Sequence, residues 1–250
     1  MSRGAADSSL QSTLAWALGR MREKGFTIRS RVELSVDPKL AIMGYAKKEE
    51  GGQRIVISEW ALDSEMLGGL VLHELAHIYF AEMGAWSHDN ELPERILDRM
   101  RAEDGLRVKE AEYLIDAFNH LQNIVVDDIV FTVMDDRELE AAKRFFFEWV
   151  SDRPSGDPVL DAALLCRNAF AVASLKRRDL FEEDGEMHYR NTAFLSAFGG
   201  DAADEFDWLE RFLETARPDW SALETREALE SYFERVLGIM RASSKLVDLR

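Results

Sequence analysis

Two histidines four residues apart, His73 and His77, with Glu74 directly after the first, are the side chains best spaced in this sequence to do chemistry. They interrupt an otherwise apolar run, Leu70-Val71-Leu72-His73-Glu74-Leu75-Ala76-His77-Ile78-Tyr79-Phe80. On a helix, positions four apart share one face one turn apart, so both imidazoles can reach a single metal ion. Glu74 would then stand beside that ion, placed to act on metal-bound water. From Met66 to Ala81 every other residue is apolar or glycine, so the three polar groups are expected to be buried and to need partners. A metal would supply one.

With 5 His in 250 residues, chance produces the pattern H-E-x-x-H in about one such sequence per hundred. The bland alternative is a pair of core histidines beside a salt-bridged glutamate. A second alternative is the E-x-x-H element of carboxylate-bridged di-iron bundles, which must occur on two helices. No second E-x-x-H occurs in this sequence.

A second polar group lies further along. Residues 107–134 carry a helical pattern in which Asp116, His120, Asn123 and Asp127 fall within about 60° of arc, with Leu114, Leu121, Val125, Ile129 and Thr132 opposite. Such a stripe is most often a solvated face. Here Lys and Arg are absent between Lys109 and Arg137, and Ile, Val, Leu and Phe dominate, which marks a buried helix. Asp127 is therefore the expected third metal ligand. Asp128 points about 100° away, among Ala117, Leu121 and Ile124, and is expected to be a buried carboxylate off the metal. His120 and His88 are the competing ligands.

These side chains must be positioned by the elements around them. The region 8–24 reads as a helix capped by Ser8 or Ser9 and stopped by Gly25. Residues 26–36 alternate apolar and polar with a period of two, which predicts a strand with one buried face. Residues 40–46 and 54–58 are two further short strands, with Gly51-Gly52 at the tip of the hairpin between them. Asp63 or Ser64 is expected to cap the histidine-bearing helix, and Gly84 to end it. Gly68 and Gly69 inside it would let another backbone approach closely. Short and long helices follow at 93–101 and 107–134, and helices cover the rest at 137–150, 159–176, 191–198, 203–216 and 221–242.

The segment 151–158, Ser-Asp-Arg-Pro-Ser-Gly-Asp-Pro, is the clearest break in the chain. It suggests a core at 1–150 and a helical C-terminal extension at 151–250 packed on it. The expected fold class is α+β: a small three-stranded sheet, an active-site helix, and a mostly α-helical C-terminal half.

Composition narrows the classes of function. A hydrophobic content of 46% supports a real core, and the net charge of −16 argues against tracking nucleic-acid phosphates or binding an anionic membrane surface. Cys166 is the only cysteine, which excludes an intramolecular disulfide framework and a thiolate metal cluster. Residues 1–11 show no basic start followed by an apolar segment and a cleavage site, and no run reaches the roughly eighteen uncharged apolar residues of a membrane span. The expectation is a cytoplasmic protein.

At His73, Glu74, His77 and the later Asn123-Ile124-Val125-Val126-Asp127-Asp128, the chain resembles the zincin metallopeptidases. It is most similar there to the metallopeptidase domain associated with von Willebrand factor A-like domains, over roughly residues 10–135. The resemblance implies a zincin-like fold in which a small sheet precedes the H-E-x-x-H helix and a later helix supplies the third ligand. It departs from the gluzincin pattern, because Asn123 stands where that pattern has glutamate. It lacks the metzincin extension too, since no histidine follows Gly84 at the required place.

The leading expectation is a zinc-dependent peptidase. His73, His77 and Asp127 would hold Zn2+ and leave one position for water, whose pKa the metal lowers toward about 7. Glu74 would be the general base, and Tyr113, His120 and His188-Tyr189 are candidates for an oxyanion donor. Asn123 or Asp116 could orient a ligating histidine through its second ring nitrogen. The substrate would be a protein or peptide, with a regulatory protein partner restraining activity inside a cell. The competing expectation is a non-proteolytic zinc protein whose acidic helical half binds a protein partner. Glu74 discriminates, since a structural zinc site needs no acid beside its first histidine and closes with four protein ligands.

Overall fold

The computed structural model describes residues 3–247, and side chains within 9–242. The fold is α+β and mostly helical, with a single three-stranded sheet among the described residues. The chain groups into two compact units, residues 1–88 with 126–142, and residues 89–125 with 143–250. The break at 151–158 is a loop inside the second unit.

In the first unit, α1 (Arg3–Glu23) leads to β1 (Val32–Asp37), β2 (Gly44–Glu49) and β3 (Gly52–Ser58). Helix α1 begins at Arg3, so positions 8 and 9 lie within it and not at its start. The sheet order is β1-β3-β2, with β1 parallel and β2 antiparallel to β3. Strand β1 is shorter than its alternating sequence suggests. The backbone N–H groups of Arg29 and Ser30 donate at 2.8 and 2.9 Å to the carboxylate of Glu82 rather than to a neighbouring strand. The hairpin turns at Glu50-Gly51, where Gly51 takes φ 87°, a value L side chains rarely adopt.

The histidine-bearing helix, α2 (Leu67–Met83), follows a short 3-10 turn at Glu59–Asp63. Neither Asp63 nor Ser64 caps it. Met66 occupies that position without a side-chain hydrogen bond, while the Ser64 hydroxyl accepts from the Met66 N–H at 3.1 Å. Gly84 ends the helix in the left-handed conformation, φ 65°. Gly68 and Gly69 admit side chains, not a second backbone: a Cβ on Gly68 would sit 3.1 Å from the Trp16 ring, and one on Gly69 2.7 Å from the Met134 methyl. These contacts seat α2 against α1 and against the residues that follow α4 (Val108–Val133). Arg20 of α1 donates to the Val133 carbonyl, a cation at a helix C-terminus where the dipole favours it.

The second unit contains α3 (Glu91–Asp104), the earlier part of α4, α5 (Asp136–Trp149) beyond its first turns, α6 (Pro158–Lys176), α7 (Glu186–Phe198), α8 (Ala202–Thr215) and α9 (Ala222–Val247). Helix α6 is long and apolar enough to cross a membrane, yet 67% of that stretch is buried inside the protein. It is a core helix, capped by Asp157, whose carboxylate accepts from the Val159 and Leu160 N–H groups. Cys166 on this helix is buried, and burial pushes its thiol up to about 12.

The start of α4 carries a measurable pH dependence. Glu110 is fully buried; its carboxylate accepts from the Arg107 backbone N–H at 2.8 Å, as a third-position glutamate does in a capping box. It also accepts from the guanidinium groups of Arg107 and Arg241. Burial alone would push this carboxyl up, but those hydrogen bonds and the Arg241 charge outweigh it and hold it at about 2. A folded-state pKa below the unfolded one adds stability above the unfolded value, and that stability is lost as pH falls toward the folded value. Glu110→Gln is expected to lower stability at pH 7 by about 2 kcal/mol, and the gap from wild type to narrow as pH falls from 4.5 toward 2. Urea unfolding at several pH values measures it; a gap constant with pH would contradict this role.

Candidate functional site

Helix α2 projects His73 and His77 from one face, and their Nε2 atoms stand 3.1 Å apart. Two ligands of one tetrahedral zinc at about 2.0–2.1 Å are separated by about 3.3 Å. The pair therefore has the spacing of two donors to one ion.

The other nitrogen of each ring is held from behind. His73 Nδ1 lies 3.1 Å from Asp127 Oδ1, and His77 Nδ1 lies 2.9 Å from His88 Nε2. His88 Nδ1 in turn meets the Ser87 hydroxyl at 3.0 Å. The short 3-10 turn Trp86–His88 after Gly84 folds His88 back over α2, where its ring stacks on Phe80 with centroids 5.8 Å apart. Burial, and to a lesser degree the nearby His73, holds His88 down at about 4, so it is a neutral imidazole at pH 7.

Hydrogen-bond bookkeeping gives this chain two states. An ionised Asp127 only accepts, so His73 carries its proton on Nδ1 and presents a lone pair at Nε2. If His88 donates from Nδ1 to Ser87, its Nε2 accepts from His77 Nδ1, and both Nε2 lone pairs converge between the rings. If instead Ser87 donates to His88, each later proton shifts one place and His77 Nε2–H donates to His73. The same number of protons serves both, so exchanging a hydrogen bond for a cation needs only tautomer changes in His77 and His88.

Glu74 is 5% exposed. Burial pushes its carboxyl up, opposed by the nearby His73 and by a hydrogen bond from the Ala46 backbone N–H. The register explains that hydrogen bond. Ser58 N–H donates to Met43 O, which makes 45:56 and 47:54 the hydrogen-bonded pairs of the hairpin. Ala46, opposite Ile55, therefore turns its N–H away from β3, at the free edge of the sheet. Glu74 reaches that edge.

The structure thus gathers His73, Glu74, His77, His88 and Asp127 in the first unit. Asp127 is the buried member of the aspartate pair, at 6% exposure, whereas Asp128 is half-buried, contrary to the expectation that it is the enclosed one. Asp127 meets His73 at Nδ1, the orienting position, rather than converging with the two Nε2 atoms. Among the described residues no group of three or more His, Cys, Asp or Glu is arranged to hold a metal ion. The groups that orient the histidines are Asp127 and His88, where Asn123 and Asp116 were expected. Asp116 is exposed, and Asn123 is half-buried on the part of α4 that belongs to the second unit. Tyr113, His120, His188 and Tyr189 also belong to that unit, and Tyr189 is 62% exposed. Sequence reasoning missed Ser87 and the Ala46 N–H. A Ser-His pair just past a helix-ending glycine was the available signal for the first; nothing local announced the second.

Fold and site together define a mostly helical α+β protein with a paired-histidine cluster and a buried glutamate on one helix. The model of a family of unknown function, DUF5781, matches residues 20–231, and the chain belongs to that family. The matched span includes every residue of the cluster. No curated protein and no solved structure matches the chain.

Proposed function

We propose that this protein is a zinc-dependent peptidase of the zincin type, with Glu74 as general base. The observation that carries the reading is the facing pair of Nε2 atoms, 3.1 Å apart, each ring being held at Nδ1 by a separate partner. Such outer partners fix the tautomer and orientation of metal-binding histidines. Zinc, when bound, supplies a Lewis acid for the scissile carbonyl and lowers the pKa of water toward about 7.

The chain's own residues do the rest. His73 and His77 would hold the ion through Nε2, two of the three protein donors a catalytic zinc takes, while Asp127 and His88 hold their rings. Glu74 takes a proton from the attacking water at its carboxylate and passes it to the leaving nitrogen. Its burial raises the carboxyl above the usual carboxylate range, which makes it a better proton acceptor than an exposed glutamate. Either side of Ala46, whose outward N–H Glu74 takes, the edge of β2 offers the backbone groups of Gly44 and Lys48 to an extended peptide, which could add there as a further strand. Ile42, just before β2, and Trp60, just after β3, are 55% and 54% exposed and give apolar surface beside that hairpin in sequence.

A non-proteolytic reading is favoured by one observation, the closed hydrogen-bond chain from Asp127 to Ser87 that tautomers satisfy without an ion. Metal content measured by mass spectrometry, alongside cleavage of a peptide library by wild type and Glu74→Gln, separates the two. Zinc with Glu74-dependent cleavage supports the peptidase. Zinc without cleavage supports a binding protein, and absence of both refutes a metal site.

The outer partners make their own expectation. Asp127→Asn and His88→Ala are each expected to weaken zinc binding about 10–100-fold while leaving the stoichiometry at one ion. Asp128→Ala should leave the affinity near wild type. Competition titration against a chelating dye reads all three, and an unchanged affinity in Asp127→Asn would contradict the role given to that carboxylate.

A further inference from the structure

The second unit holds two arginines that no carboxylate answers. In a chain of net charge −16 most cations find an acid, yet among the described residues neither Arg167 of α6 nor Arg190 of α7 has a carboxylate partner. Arg167 donates to the Ser151 hydroxyl at 2.8 Å, and Arg190 lies over the Phe147 ring at 4.8 Å. The Nε of each is buried without a hydrogen-bond partner.

The two are brought together by their neighbours in sequence. Asn168 donates to Asn191 across α6 and α7 at 3.1 Å, and to the Ser151 carbonyl at 3.0 Å. His120 completes the group from α4, with its ring stacked on Phe170 at 4.9 Å and 11° and its buried Nδ1 also unpartnered. Three polar side chains from three helices thus keep unused nitrogen atoms inside the protein, where each costs free energy. Their charges oppose one another as well: after burial, the Arg190 charge is what lowers the Arg167 guanidinium, and the Arg167 charge likewise adds to burial in lowering His120. Mutual repulsion between two cations that no carboxylate neutralises is an arrangement that an anion relieves. Phe147, Phe170 and Trp149 supply apolar surroundings, in which charge-assisted hydrogen bonds strengthen.

We propose that Arg167 and Arg190, with His120 beside them, form a binding site for a small oxyanion, a phosphate or carboxylate group. The planar guanidinium fork matches either group with paired N–H donors. The site is independent of the metal reading, since none of its residues belongs to the α2 cluster.

The test is calorimetric titration of the full chain with inorganic phosphate, a phosphomonoester and citrate, at ionic strength fixed by chloride. The neutral chelator 1,10-phenanthroline is present throughout to remove any contribution from zinc. Saturable binding of phosphate and phosphomonoester identifies a phosphate site, and preference for citrate identifies a carboxylate site; either supports the proposal if Arg190→Gln or Arg167→Gln weakens it about tenfold or more. Arg190→Lys keeps the charge but loses the fork and should fall between wild type and Arg190→Gln. Circular dichroism checks that the variants are folded. No saturable binding of any of the three by wild type overturns the proposal whatever the variants do. Binding unchanged in folded Arg167→Gln and Arg190→Gln overturns it as well.

Discussion

Glu74→Gln is expected to retain zinc at the wild-type stoichiometry and to lose peptide hydrolysis by about 10²–10⁴-fold, the usual contribution of a positioned general base. The amide has nearly the shape of the carboxylate, and it can still accept from the Ala46 N–H through its oxygen. It cannot take a proton from water. The substitution also places an uncharged group where burial already disfavours the charged one, so stability should hold or rise slightly. Activity and stability are expected to move independently, which a merely structural glutamate would not produce. Cleavage rates, zinc content and the urea midpoint, measured on one preparation, read the three quantities. A variant that cleaves at the wild-type rate would remove Glu74 from the mechanism.

His73→Ala and His77→Ala carry the other large effect. Each deletes one of two facing nitrogens, so the loss of zinc affinity should exceed the 10–100-fold typical of an outer partner. They should differ in stability. His73→Ala leaves the Asp127 carboxylate, 6% exposed, without the ring it bonds, a costly change for a buried charge. His77→Ala removes a partner of the neutral His88 and of His73 Nε2, neither of them a carboxylate. Zinc titration should therefore show similar losses in both, and thermal unfolding a larger loss in His73→Ala. Zinc affinity unchanged in either variant would contradict the assigned seat.

How far the sequence revealed this site depends on the reach of each interaction. Helix α2 was legible because its apolar run and the stop at Gly84 are local, and its geometry alone puts His73 and His77 on one face. Strand β1 was overextended at its start because alternation reports which face is buried and not where backbone N–H groups go. Those of Arg29 and Ser30 go to Glu82, more than fifty residues on. Asp127 could be placed near the histidines from the stripe on α4, but a helical wheel gives a direction and not an atom. Whether a carboxylate meets Nε2 or Nδ1 depends on how two helices pack. The sequence offers His88 only as a rival ligand. Its place behind His77 follows from the turn at 86–88, whose path is set by Trp86, Ser87 and the Phe80 stack. The hydrogen bond from Ala46 to Glu74 was out of reach for the same reason, since it rests on which hairpin pairs are hydrogen-bonded.

One zinc ion is proposed between His73 and His77. Anomalous diffraction at the zinc edge, from crystals of the full chain grown with zinc, tests it most directly. One strong peak is expected about 2.0–2.1 Å from both Nε2 atoms, with Asp127 and His88 on the far nitrogens and Glu74 beside the ion. A peak held instead by Asp128 or His120, or no peak on α2 in zinc-saturated crystals, would contradict it.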